Sequence, residues 1–196
     1  MITVNQFDAV FDCQKIFRAL MNALAQPGKI FSIAESVEKL EGESAPLIAV
    51  ALTFLDNWRK FYVEGDNDLA ESLRELTFGV PSFLEEADYL FFPQVQENMD
   101  IREVMGQVKP GTLPEPHKSA TLIFLLPSLT GGKELLLSGP GIDGEISVTL
   151  PDWAGQWLKE RQAMEFEFPC GVEFYFLTPD GQVMGVPRKI KVRGRD

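Results

Sequence analysis

Residues 120–126, Ala120-Thr121-Leu122-Ile123-Phe124-Leu125-Leu126, are apolar at nearly every position. Successive side chains of a strand point to opposite faces, so a strand with one wet face alternates, and one that does not is covered on both sides. This segment therefore reads as the central strand of a sheet, and the rest of the chain must supply its two covers. Pro127 ends it, Gly131-Gly132 turns the chain, and Glu134-Leu135-Leu136-Leu137 is expected to return antiparallel.

Working outward, Asp88 to Phe92 is a second buried strand closed by Pro93, and Arg59 to Val63 and Lys29 to Ile33 are shorter ones. Downstream, Glu145 to Leu150, Val172 to Leu177, Gln182 to Val186 and a last stretch from Lys189 complete the strands, with a turn at Pro179-Asp180-Gly181. A helix from Asp12 to Ala25 presents Cys13, Ile16, Phe17, Leu20, Met21 and Leu24 on one apolar stripe; Asp12 is its expected cap and Pro27-Gly28 its stop. Ser44-Ala45-Pro46 opens a second helix, apolar all round from Leu47 to Leu52, which must be buried in the core or beneath a partner subunit. Asp68 and Glu71 have capping-box spacing for a third. Shorter helical turns follow near Phe83 and from Asp100 to Gly106. Pro151 to Met164 forms a last helix with Trp153, Trp157 and Leu158 on its inner face. Helices and strands are interspersed without a linker or repeat, so the expected class is α/β: one domain, residues 1–196, a mixed β-sheet with helices packed on its faces.

Composition narrows the function. The chain is 45% hydrophobic and 11% aromatic, enough for a substantial core, and its net charge of −11 repels phosphate backbones, so nucleic acid is not an expected partner. The longest apolar stretch, Ala45 to Leu55, is broken by Pro46 and Thr53 and is too short to span a membrane. No basic residue precedes Lys15, as a secretory signal would require, and Cys13 and Cys170 make neither a disulfide framework nor a CxxC site. A cytoplasmic protein is the expectation.

Reactive side chains are sparse. His117, the single histidine, lies in a loop with Pro110, Pro114 and Pro116 and reads as solvated, so no metal site and no catalytic residue is assigned. Ser138-Gly139-Pro140-Gly141-Ile142-Asp143-Gly144 is either a tight strand connection or a nest of amides for an anion, with Gly139 and Gly141 as its candidates. The last nine residues hold Arg188, Lys189, Lys191, Arg193 and Arg195 against Asp196. Alternation with Ile190 and Val192 gives that strand one basic and one apolar face: a charged edge, or a docking strip in which Lys189, Lys191 and Arg193 meet an acidic partner. A pyridoxal enzyme needs a buried lysine, and none lies on an apolar face.

Several segments, in order, resemble the PhnH family, a subunit of the bacterial carbon–phosphorus lyase system: Phe17-Arg18-x-Leu20-Met21-x-Ala23-x-Ala25-x-Pro27-Gly28, Ala87-Asp88, Gly111-Thr112, Pro116 with Ala120-Thr121-Leu122-Ile123, Ser128-Leu129-x-Gly131-Gly132, Leu135-x-Leu137-x-Gly139-Pro140-Gly141-Ile142, Phe168-Pro169-x-Gly171-Val172 and Pro187-Arg188. The resemblance implies a fold similar to pyridoxal-phosphate-dependent transferases but without that cofactor. It also implies a homodimer that joins other subunits of the carbon–phosphorus lyase core complex, which with ATP couples a phosphonate to ribose as a ribose 1-phosphonate 5-triphosphate. The implied role is structural. The alternative is a nucleotide- or phosphate-binding enzyme using Thr112, the Gly139–Ile142 loop and Arg188 around an anionic ligand, a phosphonate or a nucleotide. The chain departs from the family at Pro187-Arg188-Lys189-Ile190, where the family continues Pro-Arg-Thr-Thr, and at Asp56-Asn57-Trp58, where Asp-Thr is usual.

Overall fold

A computed structural model of the chain describes residues 6–95 and 99–194. In order the elements are α1 (Phe11–Ala25), β1 (Ile30–Ser32), α2 (Ala34–Val37), α3 (Ala45–Phe54), β2 (Lys60–Val63), α4 (Asn67–Thr77), β3 (Val80–Pro81), β4 (Tyr89–Phe92), α5 (Ile101–Gln107), β5 (Thr121–Leu125), β6 (Lys133–Ser138), β7 (Ile146–Leu150), α6 (Asp152–Ala163), β8 (Glu173–Leu177), β9 (Gln182–Val186) and β10 (Lys191–Gly194). Seven strands form one mixed sheet in the order β1-β9-β8-β5-β4-β2-β3. From β3 to β8 its neighbours run parallel, while β9 is antiparallel to both β8 and β1.

Strand β5 occupies the middle of that sheet, and its side chains divide between two cores as the sequence requires. Leu122 and Phe124 join Leu90, Phe92, Phe174 and Phe176 on one face, under α5 and the Trp157–Leu158 side of α6. Ile123 joins Phe91 and Tyr175 on the other, under α1, α3 and α4. The registers Leu90↔Leu122↔Phe174 and Phe92↔Phe124↔Phe176 set like against like, and the Phe92 and Phe124 rings stack at 4.7 Å. Each of these buried aromatics contributes about 2 kcal/mol of hydrophobic free energy.

The expected return of β6 beside β5 does not occur. Parallel neighbours β4 and β8 take both edges of β5, so β6 instead pairs with β7 and β10 in a separate three-stranded antiparallel sheet. Its inner residues Leu135, Leu137, Val148 and Val192 extend the first core. Helix α3 is covered from within: Ala45 to Ala51 are all buried by the chain's own α1, α2, α4 and sheet, while Leu52, Thr53 and Phe54 of its last turn are partly buried.

Two caps differ from expectation. Asp12 lies inside the first turn of α1 and is buried; Asp8 instead accepts from the amides of Val10 and Phe11 at 2.8 Å. Asp12 turns inward to accept from the Lys39 ammonium at 2.8 Å and the Ser36 hydroxyl at 3.0 Å. Burial pushes its carboxyl up, but the Lys39, Asp8 and Ser36 hydrogen bonds outweigh that and hold it below the usual range. In α4 the cap is Asp66, which accepts from Leu69 N at 2.8 Å, not Asp68. Helix α1 also seats unusually close to the sheet. A Cβ on Gly185 of β9 would fall 2.7 Å from the Ala23 carbonyl carbon, so only glycine admits the helix backbone there.

Candidate functional site

Of the sequence-predicted residues, Arg188, Lys189 and Gly139 gather around the segment 186–190, which links β9 to β10. Arg161 of α6 fixes that segment. Its guanidinium, 3% exposed, donates from Nη1 to the Val186 and Pro187 carbonyls at 3.1 Å and from Nη2 to Ile190 O at 2.8 Å. It also lies 5.0 Å above the Phe174 ring. Burial lowers its pKa to about 10, against the opposing pull of Glu173, so it stays charged at neutral pH. Sequence reasoning did not single it out. The signal was present, because Arg161 stands four and three residues after Trp157 and Leu158, on the helix's buried face.

Arg188, so anchored, donates from Nε and Nη2 to Glu173 Oε1 at 3.1 and 2.8 Å and from Nη1 to Pro116 O at 2.7 Å. It ties the proline-rich loop to the start of β8. Lys189 donates to Phe166 O at 2.7 Å and reaches over the Phe168 ring. The Gly139–Ile142 loop is the β6–β7 hairpin connection, and Ile142 N closes it on Gly139 O at 3.1 Å. A Cβ on Gly139 would fall 2.9 Å from Lys189 O, and one on Gly141 3.0 Å from Ala25 O, so close backbone approach by itself accounts for both glycines. Pro140, Arg188, His117 and Phe168 thus border one shallow depression of about 340 Å³. Because Glu173 already holds the guanidinium, the depression offers an anion an ion-paired charge.

Thr112 is not part of that group. It is exposed in a neighbouring depression of about 410 Å³ with Arg59, Asp88, Lys109 and Lys118, and its hydroxyl accepts from Glu115 N. Lys109 is paired with Asp88 at 2.6 Å and Lys118 with Glu115 at 2.7 Å. Lys191 and Arg193 stand on the exposed face of edge strand β10, Arg193 paired with Glu145 at 2.6 Å, while Ile190 and Val192 point inward. Arg195 and Asp196 lie outside the described residues.

A third feature went unread. Phe17 and Met21, assigned from their spacing to the inner stripe of α1, are 45% and 55% exposed. They rim a cleft of about 370 Å³ floored by Tyr89, Thr121, Glu173 and Tyr175. The Tyr175 hydroxyl donates to Leu20 O at 3.1 Å, and burial pushes both tyrosines above their ordinary pKa, so the floor is neutral apart from Glu173. At the sheet edge Trp58 and Phe83 are 82% and 74% exposed. Among the described residues no group of three His, Cys, Asp or Glu side chains is placed to hold a metal ion.

The chain is 30% identical, over 94% of its length and 92% of the relative's, to the alpha-D-ribose 1-methylphosphonate 5-triphosphate synthase subunit PhnH of Rhizobium meliloti (strain 1021). It is 26% identical, over 89% of its length and 83% of the relative's, to a putative C-P lyase subunit protein HtxG of Stutzerimonas stutzeri. The family model described as bacterial phosphonate metabolism protein (PhnH) matches residues 5–193, and the chain belongs to that family.

Proposed function

We propose that the protein is a non-catalytic assembly subunit of the ribose 1-methylphosphonate 5-triphosphate synthase (C–P lyase) complex, acting in phosphonate catabolism through the surfaces it presents to the other subunits. Family membership over nearly the whole chain supports the setting. The observation that carries the role is the exposure of Phe17, Met21, Trp58 and Phe83, large apolar side chains whose exposure favours a covering partner. One such surface serves a homodimer, since Ala45 to Ala51 of α3 are covered inside the protomer, and Lys189, Lys191 and Arg193 give an acidic subunit a basic strip. The mostly parallel seven-stranded sheet with helices on both faces supports kinship with pyridoxal-phosphate-dependent transferases. No helix among the described residues is long and apolar enough to cross a membrane, which fits a cytoplasmic assembly.

Co-expression with the remaining synthase subunits and capture through a tag on this chain tests the role. Phe17→Glu with Met21→Glu should abolish co-purification while leaving the circular dichroism and melting temperature of the isolated chain unchanged. Undiminished co-purification refutes α1 as the docking face, and failure of the parent to co-purify refutes the subunit role. A second reading rests on the meeting of the Gly139–Ile142 loop with Arg188 around one depression, an anionic-ligand site for a phosphonate or nucleotide, to which Thr112 would contribute from the adjoining one. Calorimetric binding of ATP or a phosphonate by the isolated chain, lost in Arg188→Ala, would establish it; absence of binding removes it.

A further inference from the structure

The Lys109–Asp88 and Arg188–Glu173 pairs and the cleft over Tyr89 and Thr121 lie at the amino ends of the parallel strands, where β4, β5 and β8 begin. In open α/β sheets the crevice for a ligand opens at the opposite, carboxyl ends, between neighbouring strands whose onward connections leave in opposite directions. Here β2 passes through α4 to β3, outward across the face that carries α1 and α3, whereas β4 passes through α5 to β5, inward across the other face. The switch falls between β2 and β4. A depression of about 380 Å³ stands there, lined by Glu64, Gly65 and Asp66 after β2 and by Pro93 and Gln94 after β4. Through Glu43, Pro93, Gln94 and Leu125 it joins a second of about 530 Å³ walled by Leu126, Pro127 and Trp153.

The lining selects the ligand. Glu43, Glu64 and Asp66 face the crevice, and among the described residues no lysine, arginine or histidine lines either part. Glu64 uses one oxygen to accept from the Tyr62 hydroxyl at 2.8 Å, and Asp66 uses one to cap α4, so each keeps an oxygen for a ligand. The amino termini of α3 and α4, at Ser44 and Asp66, each act as about half a positive charge and together offset only one of the three negative ones. A bare phosphate or phosphonate is repelled. Among the described residues the carboxylates are not grouped to chelate a metal ion. We infer that this crevice binds a small organic cation, an amine or guanidine on an apolar body, with its charge against Glu43, Glu64 and Asp66 and its body against Leu125 and Trp153. The site is separate from the docking surfaces and stands or falls independently of the subunit role.

Nitrogen-15 NMR titration of the full chain with 2-phenylethylamine, and in parallel with phenylacetate as its anionic counterpart, tests the inference. The amine should shift the amides of Gly65 and Gln94 and the Trp153 indole together, and raised salt should weaken it. Glu64→Gln, which still accepts from Tyr62, should weaken binding about tenfold; Glu43→Gln, at an exposed position, controls for folding and should weaken it a few-fold. Phenylacetate should leave these signals unmoved. The inference is overturned if the amine at tens of millimolar moves none of them, if both compounds move them equally, or if both glutamine variants bind as the parent does.

Discussion

Replacing Arg161 by methionine keeps most of the side chain's volume and removes its three hydrogen bonds to Val186, Pro187 and Ile190. A hydrogen bond to a charged group is worth about 1.5–3 kcal/mol, and a buried carbonyl left without a partner costs about 1–3 kcal/mol. Three such contacts would suggest a very large loss, but the parent also bears the cost of a guanidinium buried with no carboxylate of the described residues in direct contact, the same burial that lowers its pKa to about 10. Relief of that cost offsets much of the loss, and a net destabilisation of about 3 kcal/mol remains. For a domain of this size that is a fall of about 6–12 °C in melting temperature. Arg161→Lys, which retains charge but reaches fewer carbonyls, should fall between the two. Circular dichroism gives the melting temperatures, and amide exchange localises the effect: in the methionine variant Ile190 and Val192 should lose protection before the β5 amides do. A methionine variant within about 1 kcal/mol of the parent, with exchange at Ile190 unchanged, would refute the assignment of Arg161 as the anchor of this segment.

Three further outcomes follow from individual contacts. Asp12→Asn should cost about 2 kcal/mol at neutral pH. Because the folded carboxyl is held below its ordinary 3.8, that contribution is complete above about pH 4 and is lost as the pH falls through the folded value; urea unfolding across this range should show the gap to the parent closing in acid, and a constant gap would contradict the ion pair with Lys39. Gly185→Ala should destabilise by about 1–3 kcal/mol, because the new methyl meets the α1 backbone at Ala23 and Leu24; an unchanged melting temperature would mean α1 can lift freely from β9. Trp58→Ser with Phe83→Ser should leave stability within about 0.5 kcal/mol while reducing self-association in sedimentation velocity, and unaltered association would remove the sheet edge from the list of docking faces.

What the sequence disclosed and what it concealed follow from the range of the interactions. The double-sided apolarity of 120–126 is a local signal of burial on both faces, and β5 lies between both cores. Its partners are not local. The hairpin expected from Gly131-Gly132 obeyed a short-range turn rule, but β8, far down the chain, completes an aromatic rung with Phe124 through Phe176, and that pairing takes the edge β6 would have used. The same limit applied to caps: Asp66 and Asp68 both offer a carboxylate near the start of α4, and the choice between them depends on turning Leu69 and Leu73 toward the core. On α1 the apolar stripe was legible but its width was not, for Phe17 and Met21 overrun the area the protomer covers.

The charged residues show this most sharply. Pro187 together with the Arg161 anchor holds Arg188 in direction. Its charge, however, is engaged by Glu173, a residue that strand register and not sequence proximity brings within reach. Prominent cations on this chain therefore mark where it is stitched together as often as where a ligand could bind. The amino ends of the parallel strands hold paired charges at Arg188–Glu173 and Lys109–Asp88, whereas the crevice at the carboxyl ends holds carboxylates with no cation beside them among the described residues. A charge imbalance at the one place where the topology opens the sheet is a firmer mark of binding capacity than a dense but neutralised cluster, because only unspent charge is available to a newcomer. That asymmetry depends on strand order, which no window of neighbouring residues contains.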